Sequence, residues 1–182
     1  MQEMFRNSWL KVVWLGIISA ACVGLDQLSK YLCVRYMTLG DSVTIIPKVL
    51  DFTYIQNKGA AFGSLSNARW VFMIASVVMI AAIAVYVIYN RRTLRYPSVI
   101  TLSLILGGGI GNMIDRIWLG YVIDFIDVKC VPYWCWIFNV ADSFVCVGAF
   151  FLVIIFIISE IKAKKTAEPR GEKENSDVTT DL

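Results

Sequence analysis

The sequence predicts a membrane protein of the all-α class with a small β element: four transmembrane helices, both termini cytoplasmic, a small extracytoplasmic sheet and an interfacial helix. Three observations predict this. The chain of 182 residues is 58% apolar and only 17% charged, with a mean hydropathy of +0.65, which is too hydrophobic for an ordinary soluble domain. Four stretches, at residues 9–28, 70–89, 97–114 and 137–158, reach the roughly 20 residues a helix needs to cross a hydrocarbon core. Basic residues then gather on one side, with Arg91, Arg92 and Arg95 between spans two and three and Lys162, Lys164 and Lys165 after span four. By the positive-inside rule that link and both termini face the cytoplasm.

Span one follows Arg6 and contains Lys11, as a secretory signal would. Three further spans succeed it in place of a cleavage site and a soluble domain, so it reads as a retained helix. The connection after it, from Ser29 to Arg69, carries five basic residues, but long loops weigh little in the charge rule. Residues 30–37, "KYLCVRYM", either continue the helix or lie at the interface. Residues 42–65, "SVTIIPKVLDFTYIQNKGAAFGSL", are rich in β-branched and aromatic residues, with a break at Pro47 and a Gly-rich end, and predict two or three short strands. These elements form one four-helix membrane domain over residues 1–161. Residues 162–182 are Lys, Glu, Thr, Ser and Asp with almost nothing apolar, the composition of a disordered cytoplasmic tail.

The composition excludes several functions. The net charge of +3 is small and scattered, which argues against nucleic acid as a partner. With no histidine, neither Ser-His-Asp nor Cys-His catalysis is available. Five cysteines without a histidine argue against a zinc site, and neither metal nor cofactor is expected. Cys22 and Cys146 fall inside spans and read as small packing residues. Cys130 and Cys135 lie in the second outer loop and can pair in an oxidising compartment.

Ionisable residues in or beside a span are costly and mark function by default. Here they converge on the outer side. Asp26 and Lys30 are four apart on one face of span one. Asn112, Asp115 and Arg116 close span three, Asp124 follows in "YVIDFIDV", and Asn139 and Asp142 open span four, three apart. Asp142 has apolar neighbours and no basic residue within a turn. The bland readings are a structural Asp26–Lys30 pair, an Asp115–Arg116 pair at a helix end, and solvated loop charges at Asp51 and Asp127. Gly107 and Gly111 form a small-xxx-small face for close helix approach, and "GGGIGNMI" is no nucleotide loop. Two aspartates meeting in a low dielectric share a proton, and one can deprotonate water while the other donates. That is the chemistry of an aspartic protease.

The motifs "DQLSK", "NKGAAFG", "GGGIGNMIDR" with "GYVIDF", and "FNVADS", in order from residue 26 to 148, resemble those of lipoprotein signal peptidase, also called signal peptidase II. The resemblance implies a multi-pass aspartic endopeptidase of the bacterial inner membrane, active at its extracytoplasmic face. It implies removal of signal peptides from diacylglyceryl-modified prolipoproteins by cutting just before the lipidated cysteine, contact with membrane lipids, and inhibition by globomycin. Carried over by motif, the catalytic pair is Asp124 and Asp142, with Asp115 as the competitor for Asp124. Asp26, Lys30, Asn57, Gly108, Asn112, Arg116, Asn139 and Ala141 form the supporting and substrate-contacting set. Two other readings compete: a serine–lysine peptidase built on Ser29 and Lys30, and a small transporter or other non-enzymatic membrane protein with a proton-coupled Asp142.

Overall fold

The computed structural model describes residues 2–59, 69–131 and 136–167. Four helices, α1 (Gln2–Tyr36), α2 (Arg69–Asn90), α3 (Tyr96–Trp118) and α4 (Val140–Ala167), are each long and apolar enough to cross a membrane. Residues 30–36 continue α1, so no separate interfacial helix occurs among the described residues. At ~1.5 Å per residue, α1 is longer than a hydrocarbon core is thick and extends beyond it.

The central helix is α3, which packs against α1, α2 and α4. Its glycines permit this. A Cβ at Gly107 would lie 2.6 Å from the Cβ of Cys22, and one at Gly111 would lie 2.5 Å from Oδ2 of Asp26, both on α1. A Cβ at Gly108 would run into the backbone carbonyl of Ala141 on α4. The small-xxx-small reading therefore holds for α1, while Gly108 serves α4. Leu15, Ile83, Val87, Val99, Leu102 and Leu106 fill the space between α1, α2 and α3.

The β element is a four-stranded antiparallel sheet in the order β1 (Ser42–Ile46), β2 (Leu50–Asn57), β3 (Val122–Val128), β4 (Ile137–Phe138). The expected strands at 42–65 account for β1 and β2, and residues 60–65 lie outside the described residues. The segment 122–128, read as loop, is strand β3, and Ile137 and Phe138, read as the start of span four, are strand β4. The physical reason is nonlocal pairing: Asp124 sits opposite Ile55, and Ile126 sits between Phe52 and Phe138. The sheet docks on the end of α1 through Cys33, Tyr54, Ile123 and Phe125, with Phe52 edge-on to Phe125 at 5.6 Å.

Two expectations need correction. Asp127 is a buried residue of β3, accepting a hydrogen bond from Thr53 Oγ1 at 2.9 Å and pairing with Lys129 at 2.5 Å. It is no solvated loop charge. At the other end, α4 continues through Ala167, so residues 162–167 are helical rather than disordered; Lys and Ala are good helix formers. Residues 168–182 lie outside the described residues.

Candidate active site

The site begins where the sheet meets α3 and α4. Gly120, at a positive φ of 86°, lets the chain leave α3 and turn into β3. Both Leu119 and Gly120 donate their N–H to the Asp115 carbonyl, closing the helix end. Four residues later β3 delivers Asp124, which is 1% exposed. Asn139 then starts α4 with a reciprocal cap. Its side-chain oxygen accepts from the Asp142 N–H at 2.9 Å, and its own N–H donates to Asp142 Oδ2 at 3.2 Å.

Asn139 also joins the two aspartates. Its side-chain amide donates to Asp124 Oδ1 at 2.7 Å and to Asn112 Oδ1 at 2.9 Å. Asn112 in turn donates to Asp142 Oδ1 at 2.7 Å. The second oxygen of Asp124 accepts from Asn57, the last residue of β2, at 2.9 Å. Burial, the largest influence, pushes the Asp124 carboxyl up to about 7. The charge of Asp142 adds to the rise, while the amides of Asn57 and Asn139 and the charge of Lys30 oppose it. Asp124 thus exchanges its proton near neutral pH.

Beneath this pair lies a sealed ionic knot. Lys30 Nζ contacts Asp26 Oδ2 at 2.8 Å, Asp115 Oδ2 at 2.9 Å and Asn112 Oδ1 at 3.0 Å, which occupies all three of its hydrogens. Asp26 also reaches across to α4, where Oδ1 accepts the Ala141 N–H at 2.9 Å. A carboxylate there complements the positive end of the helix. Asp115 Oδ2 additionally accepts from the Ile123 N–H at 3.1 Å, which fixes the start of β3. With Lys30 and Asp26 fully buried, removing the lysine leaves two carboxylates uncompensated, at a cost of about 3–5 kcal/mol.

Asp124 and Asp142 line one cleft of about 440 Å³, with Asn57, Asn112 and Arg116. Its remaining wall is largely apolar and includes Phe72 and Met79 of α2 and Val145 of α4. Asp115 does not line it. The expected Asp115–Arg116 pairing is replaced: the partner of Asp115 is Lys30, because adjacent helical residues point about 100° apart. The Arg116 guanidinium lies over Phe72 at 5.3 Å, and its NH1 donates to the Asn112 carbonyl at 3.2 Å. Gly108 and Ala141 are the close contact that holds α3 against the N-terminus of α4.

The serine–lysine reading loses its geometry here, since Ser29 donates to the Asp26 carbonyl at 2.7 Å while Lys30 is enclosed. Cys146, expected as a packing residue, is exposed and lines the cleft. Cys130 is exposed, and its candidate partner Cys135 lies outside the described residues. One polar group was missed in the sequence. Gln27 donates to Asp115 Oδ1 at 3.0 Å, to the Gly111 carbonyl at 3.2 Å and to Asp26 Oδ2 at 3.2 Å. The signal was available: an amide in an apolar span, one residue from Asp26, calls for a buried partner.

This fold and site define a multi-pass membrane protein with two carboxylates lining one cleft at one end of its helices. Residues 18–158 match the model of one family, signal peptidase (SPase) II, and the chain belongs to it. It is therefore a membrane protease. A lipoprotein signal peptidase of Halalkalibacterium halodurans is 42% identical over 151 residues, spanning 82% of this chain and 95% of the relative. One from Caldanaerobacter subterraneus subsp. tengcongensis is 44% identical over 143 residues, spanning 78% and 94%. A bacterial membrane enzyme solved by the in meso method at 2.3 Å superposes with a TM-score of 0.72 at 32% identity, over 87% of this chain and 93% of that one. A second, solved by the same method at 1.9 Å, gives 0.69 at 33% identity over 78% and 91%.

Proposed function

We propose that this chain removes signal peptides from diacylglyceryl-modified bacterial prolipoproteins, cutting just before the lipidated cysteine, with Asp124 and Asp142 as an aspartic catalytic pair. The observation that carries the reading is that two carboxylates from different elements line one cleft and are linked through Asn139 and Asn112. A pair so held shares a proton, and its titration belongs to both groups. The ionised carboxylate takes a proton from water as the water attacks the scissile carbonyl, and the protonated one donates to the carbonyl oxygen. The proton taken from water then passes to the leaving amine. Asn57, Asn112 and Asn139 orient the carboxylates, and Arg116 at the cleft wall holds substrate backbone carbonyls. Asp26, Lys30 and Asp115 act from below by fixing Asn112, β3 and the start of α4, while Gly108 and Ala141 set the spacing of α3 and α4.

The protein resides in the bacterial inner membrane with its termini in the cytoplasm and the cleft at the extracytoplasmic face. Globomycin is expected to block cleavage. The decisive measurement is processing of a diacylglyceryl-modified prolipoprotein by Asp124→Asn, Asp142→Asn and Asp115→Asn. The first two are expected to lose roughly 10²–10⁴-fold in rate, whereas Asp115→Asn retains more cleavage and melts at a lower temperature. Wild-type cleavage by Asp142→Asn would sink the aspartic mechanism, whereas a wild-type chain that cleaves nothing would favour a proton-coupled, non-enzymatic role. Loss in Asp115→Asn with activity in Asp124→Asn would exchange their roles.

A further inference from the structure

The cleft does not end at the two aspartates. Its lining continues to Gly109 on α3, Met79 on α2, and Val145 and Cys146 on α4. Gly109 stands three residues before Asn112, while Val145 and Cys146 stand three and four after Asp142. Since α3 runs toward the sheet and α4 away from it, both steps lead the same way, one helical turn or about 5 Å from the pair toward the membrane interior. This deeper part is a pouch without a charged group among those four residues.

Gly109 differs from the glycines around it. The missing Cβ atoms of Gly107, Gly108 and Gly111 make room for α1 and α4. A Cβ at Gly109 would instead run into the Cε methyl of Met79 and meet no atom of α1 or α4. Its absence therefore leaves space beside a side chain that can fold in or out. The depth of the pouch suits a side chain of leucine size, whereas an acyl chain is several times longer. A signal peptide, as the apolar segment ahead of the cut, leads from the aspartates toward the membrane interior, which is the direction of the pouch.

Building on the proposed cleavage reaction, we propose that this pouch seats one apolar side chain of the signal peptide, ahead of the scissile bond, and that Gly109 and Met79 set the largest side chain it accepts. The glycine keeps the back of the pouch open, and the methionine closes its side.

The test is kcat/KM for diacylglyceryl-modified prolipoproteins with Ala, Leu or Phe at each of the four positions before the cut. At one position the wild type is expected to prefer Leu to Ala. In Gly109→Ala the added methyl pushes Met79 into the pouch, and that preference falls about tenfold, as for one methyl-sized change in an apolar pocket. In Met79→Ala, Phe gains on Leu by about tenfold. The double variant Gly109→Ala/Met79→Ala recovers the preference for Leu, because the obstructing methyl is gone; a merely structural fault at Gly109 would persist. Unchanged preferences in Gly109→Ala, with wild-type cleavage intact, overturn the proposal and leave the proposed function standing. An equal fall for every substrate overturns it in favour of an acyl chain in the pouch. A second arm needs no cleavage. With Asp124→Asn added and the other four cysteines replaced by alanine, maleimide labelling of Cys146 is slowed more by Leu than by Ala substrates, and Gly109→Ala abolishes the difference. Equal labelling with both substrates overturns the proposal whether or not the wild type cleaves.

Discussion

Asn139 uses every polar atom of its side chain at the centre of the site, capping α4 with its oxygen and joining Asp124 to Asn112 with its amide. An uncharged residue can do this only because the groups it links arrive from three different elements. The consequence for Asp124 is measurable. Its carboxyl titrates near 7, chiefly through burial, and the Asn57 amide opposes that rise by stabilising the ionised form. The alkaline limb of kcat/KM is therefore expected near pH 7, where the pair loses its last proton. In Asn57→Leu, which removes the donor and keeps the bulk, the limb moves to higher pH. A limb that stays in place or moves down would assign it to another group. Stability follows the same sign. The unfolded chain releases this proton near pH 4 and the folded chain near 7, so between those values the folded state binds more protons and the contribution of Asp124 falls as pH rises.

At the scale of elements, the helices were legible because hydropathy over about 20 residues is a local property. So were β1 and β2, which pair through a short turn. Strand β3 was not: "VIDFIDV" is buried on both faces and lacks the alternation of a half-exposed strand. Its partner β2 lies some 65 residues earlier. The same distance hid the ionic knot. The spacing of Asp26 and Lys30 announces a pair, but nothing near Lys30 in sequence points to Asp115. The glycines of α3 were legible as a packing face, though not which helix each one meets, and that difference makes a prediction. In Gly108→Val the new side chain meets the Ala141 backbone and lies 2.8 Å from Val145 Cγ2 at its Cβ. Backbone cannot yield cheaply, so α3 and α4 separate, the melting temperature drops by the equivalent of about 1–3 kcal/mol, and cleavage falls with it. In Gly109→Ala the added carbon meets only the methyl end of Met79, which can rotate away. That variant is expected to keep near-wild-type stability. Equal losses in the two would mean that the α3–α4 contact does not control the site.

For the whole molecule, charge and polarity separate along the helix axes. The sheet and both aspartates occupy one end, while Arg91, Arg92, Arg95, Lys162 and Lys164 occupy the other. Four apolar helices between them make the separation meaningful, because a membrane holds the two ends in different compartments. The proposed function puts the basic end in the cytoplasm, in keeping with the positive-inside rule, and the cleft on the opposite side. Two exposed positions report the arrangement directly. Cys130, just after β3, is exposed at the sheet end, and Arg92, in the link between α2 and α3, is exposed at the other. In a background where the remaining cysteines are replaced by alanine, a membrane-impermeant maleimide is expected to label Cys130 in intact spheroplasts. With Cys130 also replaced, Arg92→Cys is expected to react only after the membrane is permeabilised. Reversed labelling would put Asp124 and Asp142 on the cytoplasmic side, where signal peptides of exported proteins are not presented for cleavage, and the catalytic assignment would fall with the orientation.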